Sequence, residues 1–232
     1  MSSLPSFWVV IPAAGVGSRM RADRPKQYLQ LGRRTILEHT LGCFLGHPQL
    51  RGLVVSLAVD DPWWPSLDCA SDPRIHRAPG GAERADSVLA GLRRLDQLGA
   101  EANDWVLVHD AARPNLATED LDKLLVELAD DPVGGLLAVP VRDTLKRAGP
   151  DGRVRETVDR SVIWQAYTPQ MFRVGALHDA LAGALAEQVA ITDEASALEW
   201  AGHSPRLIEG RADNLKVTRP EDLQWLQQRW SR

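Results

Sequence analysis

Cysteine is scarce in this chain of 232 residues, which carries only Cys43 and Cys69. The two do not form a Cys-x-x-Cys pair, and a chain of this length buries a core without a disulfide or metal scaffold. Cys43 also falls in an apolar helical pattern, where a buried free thiol is common. We therefore expect both cysteines to be structural.

Long apolar runs are also absent. No stretch reaches the ~18 apolar residues of a membrane span. The first strand-like segment begins by Phe7, which leaves no room for a signal or transit peptide. These features predict a cytoplasmic protein that does not enter a membrane.

An excess of basic residues is the third absence. Lys and Arg number 27 against 31 Asp and Glu, which gives a net charge of -4 and a pI near 5.9. A general nucleic-acid binder needs a basic face, so that class is excluded and any phosphate binding must be local. With 44% hydrophobic and 25% charged residues, the composition also excludes disordered and fibrous proteins.

Apolar, β-branched runs alternate with helical stripes along the chain. The runs at residues 7–12, 53–59, 105–109 and 135–140 predict strands that are buried on both faces. Apolar residues at helical spacing, such as Leu89 and Leu92, predict helices between them. This alternation predicts one α/β domain with a mostly parallel, Rossmann-like sheet flanked by helices. In such a sheet ligands bind beyond the carboxyl ends of the strands.

Residues 141–164 break this pattern. Two charged, alternating segments flank the turn Gly149-Pro150-Asp151-Gly152, which predicts a hairpin arm outside the core. Beyond the arm we expect two helices, the second starting near Thr192, then a short strand at Arg206–Glu209. A last helix opens with a predicted capping box of Thr218 and Glu221. No linker or repeat interrupts residues 1–232, so we predict a single domain.

A glycine-containing loop follows the first predicted strand. It reads Pro12-Ala13-Ala14-Gly15-Val16-Gly17-Ser18-Arg19-Met20, and Pro25-Lys26-Gln27 comes next. Small residues let backbone N–H groups surround an anion, and Arg19 and Lys26 supply cations for a polyphosphate. A tight turn with ordinary surface cations is the alternative, because Gly-x-Gly alone is weak evidence.

Three better-known glycine motifs do not fit this loop. The chain lacks the Gly-x-x-x-x-Gly-Lys-Ser/Thr of a Walker A loop. A dinucleotide fingerprint needs a small residue where Met20 stands and an acidic residue ~20 positions on, whereas the second predicted strand ends at Asp60. A hydrolase elbow needs glycine in place of Val16 and Met20, so Ser18 is not a triad nucleophile.

Other loops carry further candidates for chemistry. Asp110 follows a predicted strand beside small residues and Arg113, which suits an Mg²⁺ ligand, although Asp is also a common turn former there. His109 has no metal-spaced partner, and we interpret it as structural. Gly80-Gly81 fits a base or ribose, or a plain loop before a helix. Thr192 is either a helix N-cap or a hydroxyl that binds a phosphate.

Taken together, these motifs resemble the 2-C-methyl-D-erythritol 4-phosphate cytidylyltransferases of the non-mevalonate isoprenoid pathway. The likeness covers nearly the whole chain: the 12–20 loop with Pro25-Lys26-Gln27-Tyr28, and residues 84–88, 108–114, 140–147, 157–160, 168–170, 191–197 and 209–221. The last block is hard to match by chance, although Lys216 within it indicates only a strand edge when it is read alone.

The resemblance implies a nucleotidyltransferase sheet and a role for each matching residue. CTP would be held by Pro12, Ala13, Ala14, Gly15, Gly17, Gly81, Ser87 and Ala111. Arg19, Lys26, Arg160 and Lys216 would be catalytic, Asp110 would hold Mg²⁺, and Arg113, Thr144, Thr168 and Thr192 would bind methylerythritol phosphate. Arg160 would reach the partner's site through an exchanged arm, which implies a homodimer. At Ala82, where some relatives have Asp, only a backbone contact to the base would survive.

The implied reaction transfers the cytidylyl group of CTP to 2-C-methyl-D-erythritol 4-phosphate and releases pyrophosphate. Three alternatives stay open at this point. A nicotinamide dehydrogenase is disfavoured by the failed dinucleotide fingerprint. A nucleotide sensor without catalysis would need neither Asp110 nor a second phosphate site. Cytidylyltransferases for ribitol 5-phosphate look alike in the loop, and Thr144, Arg160 and Thr192 favour methylerythritol phosphate over that acceptor.

Overall fold

The computed structural model describes residues 4–15 and 23–230. Its strands are β1 (Phe7–Pro12), β2 (Gln30–Leu31), β3 (Arg34–Thr35), β4 (Leu50–Leu57), β5 (Ile75–Pro79), β6 (Trp105–Val108), β7 (Gly134–Pro140), β8 (Leu145–Ala148), β9 (Val154–Val158), β10 (Trp164–Arg173) and β11 (Arg206–Glu209). Its α-helices are α1 (Ile36–Leu45), α2 (Arg84–Gln97), α3 (Thr118–Leu128), α4 (Val174–Ala186), α5 (Glu194–Trp200) and α6 (Pro220–Trp230).

A seven-stranded sheet with the order β11-β7-β10-β6-β1-β4-β5 runs through the molecule. Strands β6, β1, β4 and β5 run parallel to one another, and β11 is parallel to β7. Only β10 runs antiparallel to the strands on its two sides, β6 and β7. The prediction of a mostly parallel sheet in a single domain is confirmed.

Helices cover both faces of this sheet. The side chains of β1 therefore alternate between two apolar cores, one on each face. Val9 points to the core that contains Leu41 of α1 and Leu124 of α3. Val10 points to the other core, with Leu92 of α2 and Leu181 of α4. Each of these residues is fully buried or nearly so. The carboxyl ends of the parallel strands are thereby held at one rigid edge.

The predicted strands occur close to their expected positions. The first is confirmed as predicted, the second begins earlier and ends at Leu57, the third ends at Val108, and the fourth begins at Gly134. The strand at Arg206–Glu209 is also confirmed. Among the described residues, no helix has both the length and the apolar character that crossing a bilayer requires.

Two strands of the sheet were not predicted. Strand β5 has only two buried residues, Ile75 and Ala78, and therefore lacks an apolar run. Strand β10 was counted partly as arm, but Trp164 already pairs with Pro140 of β7. Its first four residues are exposed or half-buried, Pro169 lies near its middle, and its pairing with β7 is interrupted between Ala166 and Gln170.

The predicted hairpin is present as β8 and β9. These two strands pair with each other in a separate two-stranded sheet, and the Gly149–Gly152 turn joins them. Its residues are almost all exposed, with Val154 62% exposed and Val162, just after the hairpin, 75% exposed. The hairpin is thus confirmed, whereas its exchange between subunits stays a prediction.

The capping box predicted for α6 is wrong, because the side chain that caps the helix belongs to another residue. Helix α6 begins at Pro220, and the carboxylate of Asp222 accepts hydrogen bonds from the backbone N–H groups of Thr218 and Arg219, both at 2.8 Å. The Thr218 hydroxyl instead donates to the Lys216 carbonyl at 3.2 Å. The helix starts one residue later than the pattern requires, which brings Asp222 rather than Glu221 to the capping position.

Candidate active site

A cavity of about 330 Å³ opens at the carboxyl ends of β1 and β6. Ten residues with predicted roles line it: Pro12, Ala13, Ala14, Gly15, Lys26, Gly81, Ser87, Asp110, Ala111 and Lys216. Gly17 and Arg19 lie outside the described residues. Arg113, Thr144, Arg160, Thr168 and Thr192 do not line this cavity, so the predicted acceptor residues are not brought together in it.

The loop after β1 is braced by a glutamine that the sequence analysis missed. Gln27 is 3% exposed, and its Nε2 donates to the carbonyls of Ala13 at 2.6 Å and Gly15 at 3.1 Å. The Ala13 N–H in turn donates to the Ser56 carbonyl at 2.8 Å, so the N–H groups of Ala14 and Gly15 are the ones this loop could offer to an anion. The only sequence signal of Gln27 was its place directly after Pro25-Lys26.

The double glycine before α2 has a packing role. A Cβ on Gly80 would lie 2.1 Å from Cβ of Ala14, and one on Gly81 would lie 2.1 Å from Cβ of Asp86. Gly80 therefore lets two loops approach each other closely, and Gly81 lets its loop fold back on the start of α2. The Gly81 N–H donates to Ser87 Oγ at 3.0 Å, and that hydroxyl donates to the Glu83 carbonyl at 3.2 Å. Ser87 thus organises the loop that faces the cavity.

Asp110 is the charged centre of the site. Its Oδ1 lies 3.2 Å from Arg84 Nε, and its Oδ2 lies 3.2 Å from Arg113 Nε and 2.9 Å from Lys216 Nζ. Burial alone would raise the pKa of this carboxyl, but the charges of Arg84, Lys216 and Arg113 outweigh burial and hold the pKa well below its usual range. Asp110 is therefore ionised at neutral pH.

His109 and Thr168 form a buried hydrogen-bond relay under Asp110. Thr168 Oγ1 accepts from the Asp110 N–H at 3.1 Å and lies 2.9 Å from His109 Nδ1, to which its hydroxyl donates because the proton of the neutral imidazole is on Nε2. His109 Nε2 then donates to the Arg113 carbonyl at 3.0 Å. Burial lowers the pKa of His109 to about 4. The imidazole is neutral with both nitrogens satisfied, which confirms its interpretation as structural.

Arg113 is held deep beside this relay. It is 7% exposed, its Nη1 donates to the Asn214 carbonyl at 2.7 Å, and its guanidinium lies 4.5 Å from the ring centre of Tyr167. Asn214 in turn donates to the Thr168 carbonyl at 2.8 Å. The segment that carries Lys216 is thereby fastened to β10.

Two lysines meet at that same segment. Lys26 Nζ donates to the Val217 carbonyl at 3.0 Å, and the Val217 N–H donates to the Ala112 carbonyl at 2.8 Å. Lys216 pairs with Asp110 as described above. Although 190 residues separate them in the chain, both ammonium groups lie at the cavity wall. Two cations at one wall favour the binding of a polyphosphate.

The remaining predicted residues lie elsewhere. Thr144 and Arg160 are exposed in the segments flanking the hairpin, where Arg160 donates to the Arg142 carbonyl. Thr192 is exposed, and its N–H donates to Ser196 Oγ at 3.1 Å. The N-cap of α5 is Asp193, so the alternative interpretation of Thr192 as the N-cap is wrong. The proximity of these residues to a ligand stays a prediction.

Comparison with known proteins finds one family along nearly the whole chain. The family model described as 2-C-methyl-D-erythritol 4-phosphate cytidylyltransferase matches residues 7–228. A protein of that name from Pseudomonas fluorescens strain SBW25 is 75% identical over 228 residues, covering 98% of this chain and 97% of the relative. Another from Pseudomonas aeruginosa is 74% identical over 226 residues, covering 97% of each.

Solved structures agree with the sequence matches. A crystal structure of 4-diphosphocytidyl-2C-methyl-D-erythritol synthase superposes with a TM-score of 0.83 at 41% identity, covering 98% of this chain and 99% of that one. The 2-C-methyl-D-erythritol 4-phosphate cytidylyltransferase of Francisella tularensis superposes with a TM-score of 0.84 at 33% identity, covering 98% and 100%. The fold and the motifs therefore point to the same family.

Proposed function

The chain belongs to the 2-C-methyl-D-erythritol 4-phosphate cytidylyltransferase family, and from this premise we propose how its residues divide the reaction. The enzyme transfers the cytidylyl group of CTP to 2-C-methyl-D-erythritol 4-phosphate, giving 4-diphosphocytidyl-2-C-methyl-D-erythritol and pyrophosphate. The observation that supports the division of roles is the Asp110 centre, which gathers Lys216, Arg84 and Arg113 beside one cavity.

The nucleophile in this reaction needs no general base. A phosphate monoester has a second pKa of about 6 and is largely ionised at neutral pH. An oxygen of the acceptor phosphate attacks the α-phosphorus of CTP, the bond from that phosphorus to the bridging oxygen breaks, and pyrophosphate leaves with the electron pair. The protein must bring two anions together, align them and stabilise the leaving group.

The small residues at the cavity wall form the nucleotide side of the proposed site. The backbone N–H groups of Ala14 and Gly15 would face the phosphates, a role that Gly17 shares in this proposal, while Gly81 and Ser87 would approach cytosine and ribose. The close approach of the two loops at Gly80 and Ala14 supports this arrangement. Ala111 completes the wall below the nucleotide.

The cations act where charge develops. Lys26 and Lys216 lie at the cavity wall, and they would stabilise the pentavalent phosphorus and the departing pyrophosphate. Arg19 joins them in this proposal on the strength of its position in the glycine loop. None of the three is needed to move a proton, so each acts by its charge.

The proposed cofactor is Mg²⁺, and Asp110 is the residue that would hold it. The donors present fit this ion, because Asp110 offers an ionised carboxylate at the cavity wall. Across residues 4–15 and 23–230, no three His, Cys, Asp or Glu side chains come together as a metal cage. Mg²⁺ is commonly held by one or two carboxylates, with phosphates and water as its other ligands. When bound, it neutralises charge on the phosphates.

The acceptor side of the proposed site draws on two subunits. Arg113, Thr168 and Thr192 would contact methylerythritol phosphate from one chain, and Thr144 would contact it from the start of the arm. Arg160 would arrive from the partner in a homodimer. The exposure of the hairpin and of Val154 and Val162 supports this proposal, because a hairpin with so little packing of its own gains from a partner surface. A cytoplasmic location fits the use of CTP.

A pyrophosphate-release assay tests the function. CTP, UTP, ATP and GTP are each combined with methylerythritol 4-phosphate and with ribitol 5-phosphate in the presence of Mg²⁺. We expect turnover with CTP and methylerythritol 4-phosphate, and its loss when EDTA removes the metal. A preference for ribitol phosphate would contradict the acceptor, and equal turnover in EDTA would contradict the role of Mg²⁺.

A further inference from the structure

Glu194 is a buried carboxylate that has no part in the reaction described above. It is the first residue of α5, its side chain is 1% exposed, and it does not line the cavity. A carboxylate taken out of water has to be paired. Its partner is Arg84, whose Nη1 donates to Oε1 at 2.6 Å and whose Nη2 donates to Oε2 at 3.0 Å.

This bidentate ion pair fixes the plane of the Arg84 guanidinium. Its Nε donates to Asp110 Oδ1 at 3.2 Å. Arg84 also lines the cavity, so its cation faces the proposed nucleotide site, whereas Glu194 does not line the cavity. Glu194, Arg84 and Asp110 form a chain of alternating charges from α5 to the end of β6.

The same pair connects two loops that the proposed function assigns to different substrates. Arg84 is the first residue of α2, directly after the loop that contains Gly81. Glu194 follows Thr192 by two residues, and Asp193 between them accepts a hydrogen bond from Gln170 Nε2 at 2.9 Å. Gln170 lies on β10, two residues after Thr168. One ion pair therefore joins the nucleotide loop to the loop and strand proposed to hold the acceptor.

We propose that Glu194 is a positioning residue for the cytidylyl transfer: it aims Arg84 at Asp110 and joins the nucleotide loop to the acceptor loop. This inference rests on the proposed placement of the acceptor beside Thr168 and Thr192. Glu194 balances the charge of Arg84, which keeps the guanidinium from turning onto the triphosphate before the acceptor binds. Loss of that charge releases Arg84 toward CTP and loosens the acceptor loop.

The variant Glu194→Gln separates positioning from binding, because it keeps the shape of the side chain and removes its charge. We expect kcat to fall by about 10-fold or more and KM for the acceptor to rise several-fold, whereas the Kd of CTP, measured by calorimetry with CTP alone, does not weaken. In an Arg84→Gln background the same substitution should change kcat by less than about two-fold, because Glu194 acts through Arg84.

Two controls separate this role from a structural one. Glu127→Gln also removes a carboxylate from an arginine, Arg206 at 3.0 Å, but neither residue lines the cavity, and kcat should stay within about two-fold of that of the unaltered enzyme. If Glu194→Gln does not fold, as judged by circular dichroism, then Glu194→Asp carries the test. That variant keeps the charge on a shorter side chain and should show a smaller loss of kcat with CTP binding retained.

Several results would overturn the proposal. They are an unchanged kcat in folded Glu194→Gln, a loss explained wholly by weaker CTP binding, and an effect that stays additive with Arg84→Gln. A failure of the unaltered enzyme to use methylerythritol phosphate would instead contradict the proposed function, so the two failures are distinguishable.

Discussion

The charged residues around Asp110 leave this part of the site with a net positive charge. Three cations, Arg84, Arg113 and Lys216, face one carboxylate, and Glu194 balances only the first of them. The cluster therefore keeps a surplus positive charge at the cavity wall. Such a surplus attracts a triphosphate and a phosphate monoester to the same place.

The substitution Lys26→Ala tests how much this charge acts in the transition state. We expect kcat to fall by about 10²-fold or more with a smaller change in KM for CTP, because the charge of the leaving group develops during the reaction. Steady-state kinetics checks this. Lys123→Ala is the matched control, since Lys123 is exposed and donates to the Glu209 carbonyl. A rise in KM alone would make Lys26 a residue for ground-state binding.

The burial of neutral His109 should make the folded protein less stable in mild acid. The pKa of this histidine is lowered to about 4 by burial, whereas an unfolded histidine titrates near 6.5. The unfolded chain therefore takes up the proton first as the pH falls below 6.5, and this group lowers the free energy of unfolding by about 2 kcal/mol between pH 7 and pH 5. Denaturant unfolding of the enzyme and of His109→Gln measures the difference. Equal pH dependence in both would show that His109 is not the group responsible.

The residues that sequence could predict at this scale are those in short motifs. Asp110, Lys26 and Lys216 were found from local patterns and from the family resemblance, and all three line the cavity. Gln27 and Arg84 were given no role, because their meaning depends on distant partners. Arg84 binds Glu194 across 110 positions, and nothing local to either residue indicates the pair.

At the scale of elements, apolar content decided which parts of the fold could be predicted. Strand β1 is buried over nearly its whole length and was predicted to the residue. Strand β10 carries Thr168 and Gln170, which are buried because they hydrogen-bond to the site and to α5. A strand with polar side chains on its buried face has no alternating pattern to recognise. Strand β10 was therefore not predicted from the sequence.

The start of α6 offers a test between sequence pattern and structure. Asp222→Ala removes the acceptor for two backbone N–H groups and should lower the free energy of unfolding by about 1–2 kcal/mol. Glu221→Ala removes the acid that the capping-box pattern selects and should change it by less than about 0.5 kcal/mol. Denaturant unfolding compares the two variants. A larger loss of stability in Glu221→Ala than in Asp222→Ala would support the capping box predicted from the sequence.

At the scale of the whole molecule, the proposed exchange of the arm would mean that one chain alone cannot form a complete site. Arg160 lies in the arm and does not line the cavity of its own chain. An arm exchanged across a two-fold axis would give a dimer two composite sites.

Mixing two inactive variants tests this exchange. Lys26→Ala and Arg160→Ala chains are combined under conditions that let subunits exchange. If Arg160 acts in the partner's site, each heterodimer has one intact site, and because about half of random dimers are heterodimers, about a quarter of normal activity returns. Mixing Lys26→Ala with Asp110→Asn should restore nothing, because both residues serve the site of their own chain. Equal failure of both mixtures would place Arg160 in its own chain's site.

An isotope experiment tests most directly the claim that the acceptor phosphate itself attacks CTP in this site. Methylerythritol 4-phosphate labelled with oxygen-18 in its nonbridging phosphate oxygens is incubated with unlabelled CTP and Mg²⁺. The oxygen-18 content of both products is then measured by mass spectrometry. We predict that the cytidine diphosphate product keeps every labelled oxygen and that pyrophosphate carries none. Label in pyrophosphate, or a labelled oxygen lost from the diphosphate product, would contradict attack by the acceptor phosphate on the α-phosphorus.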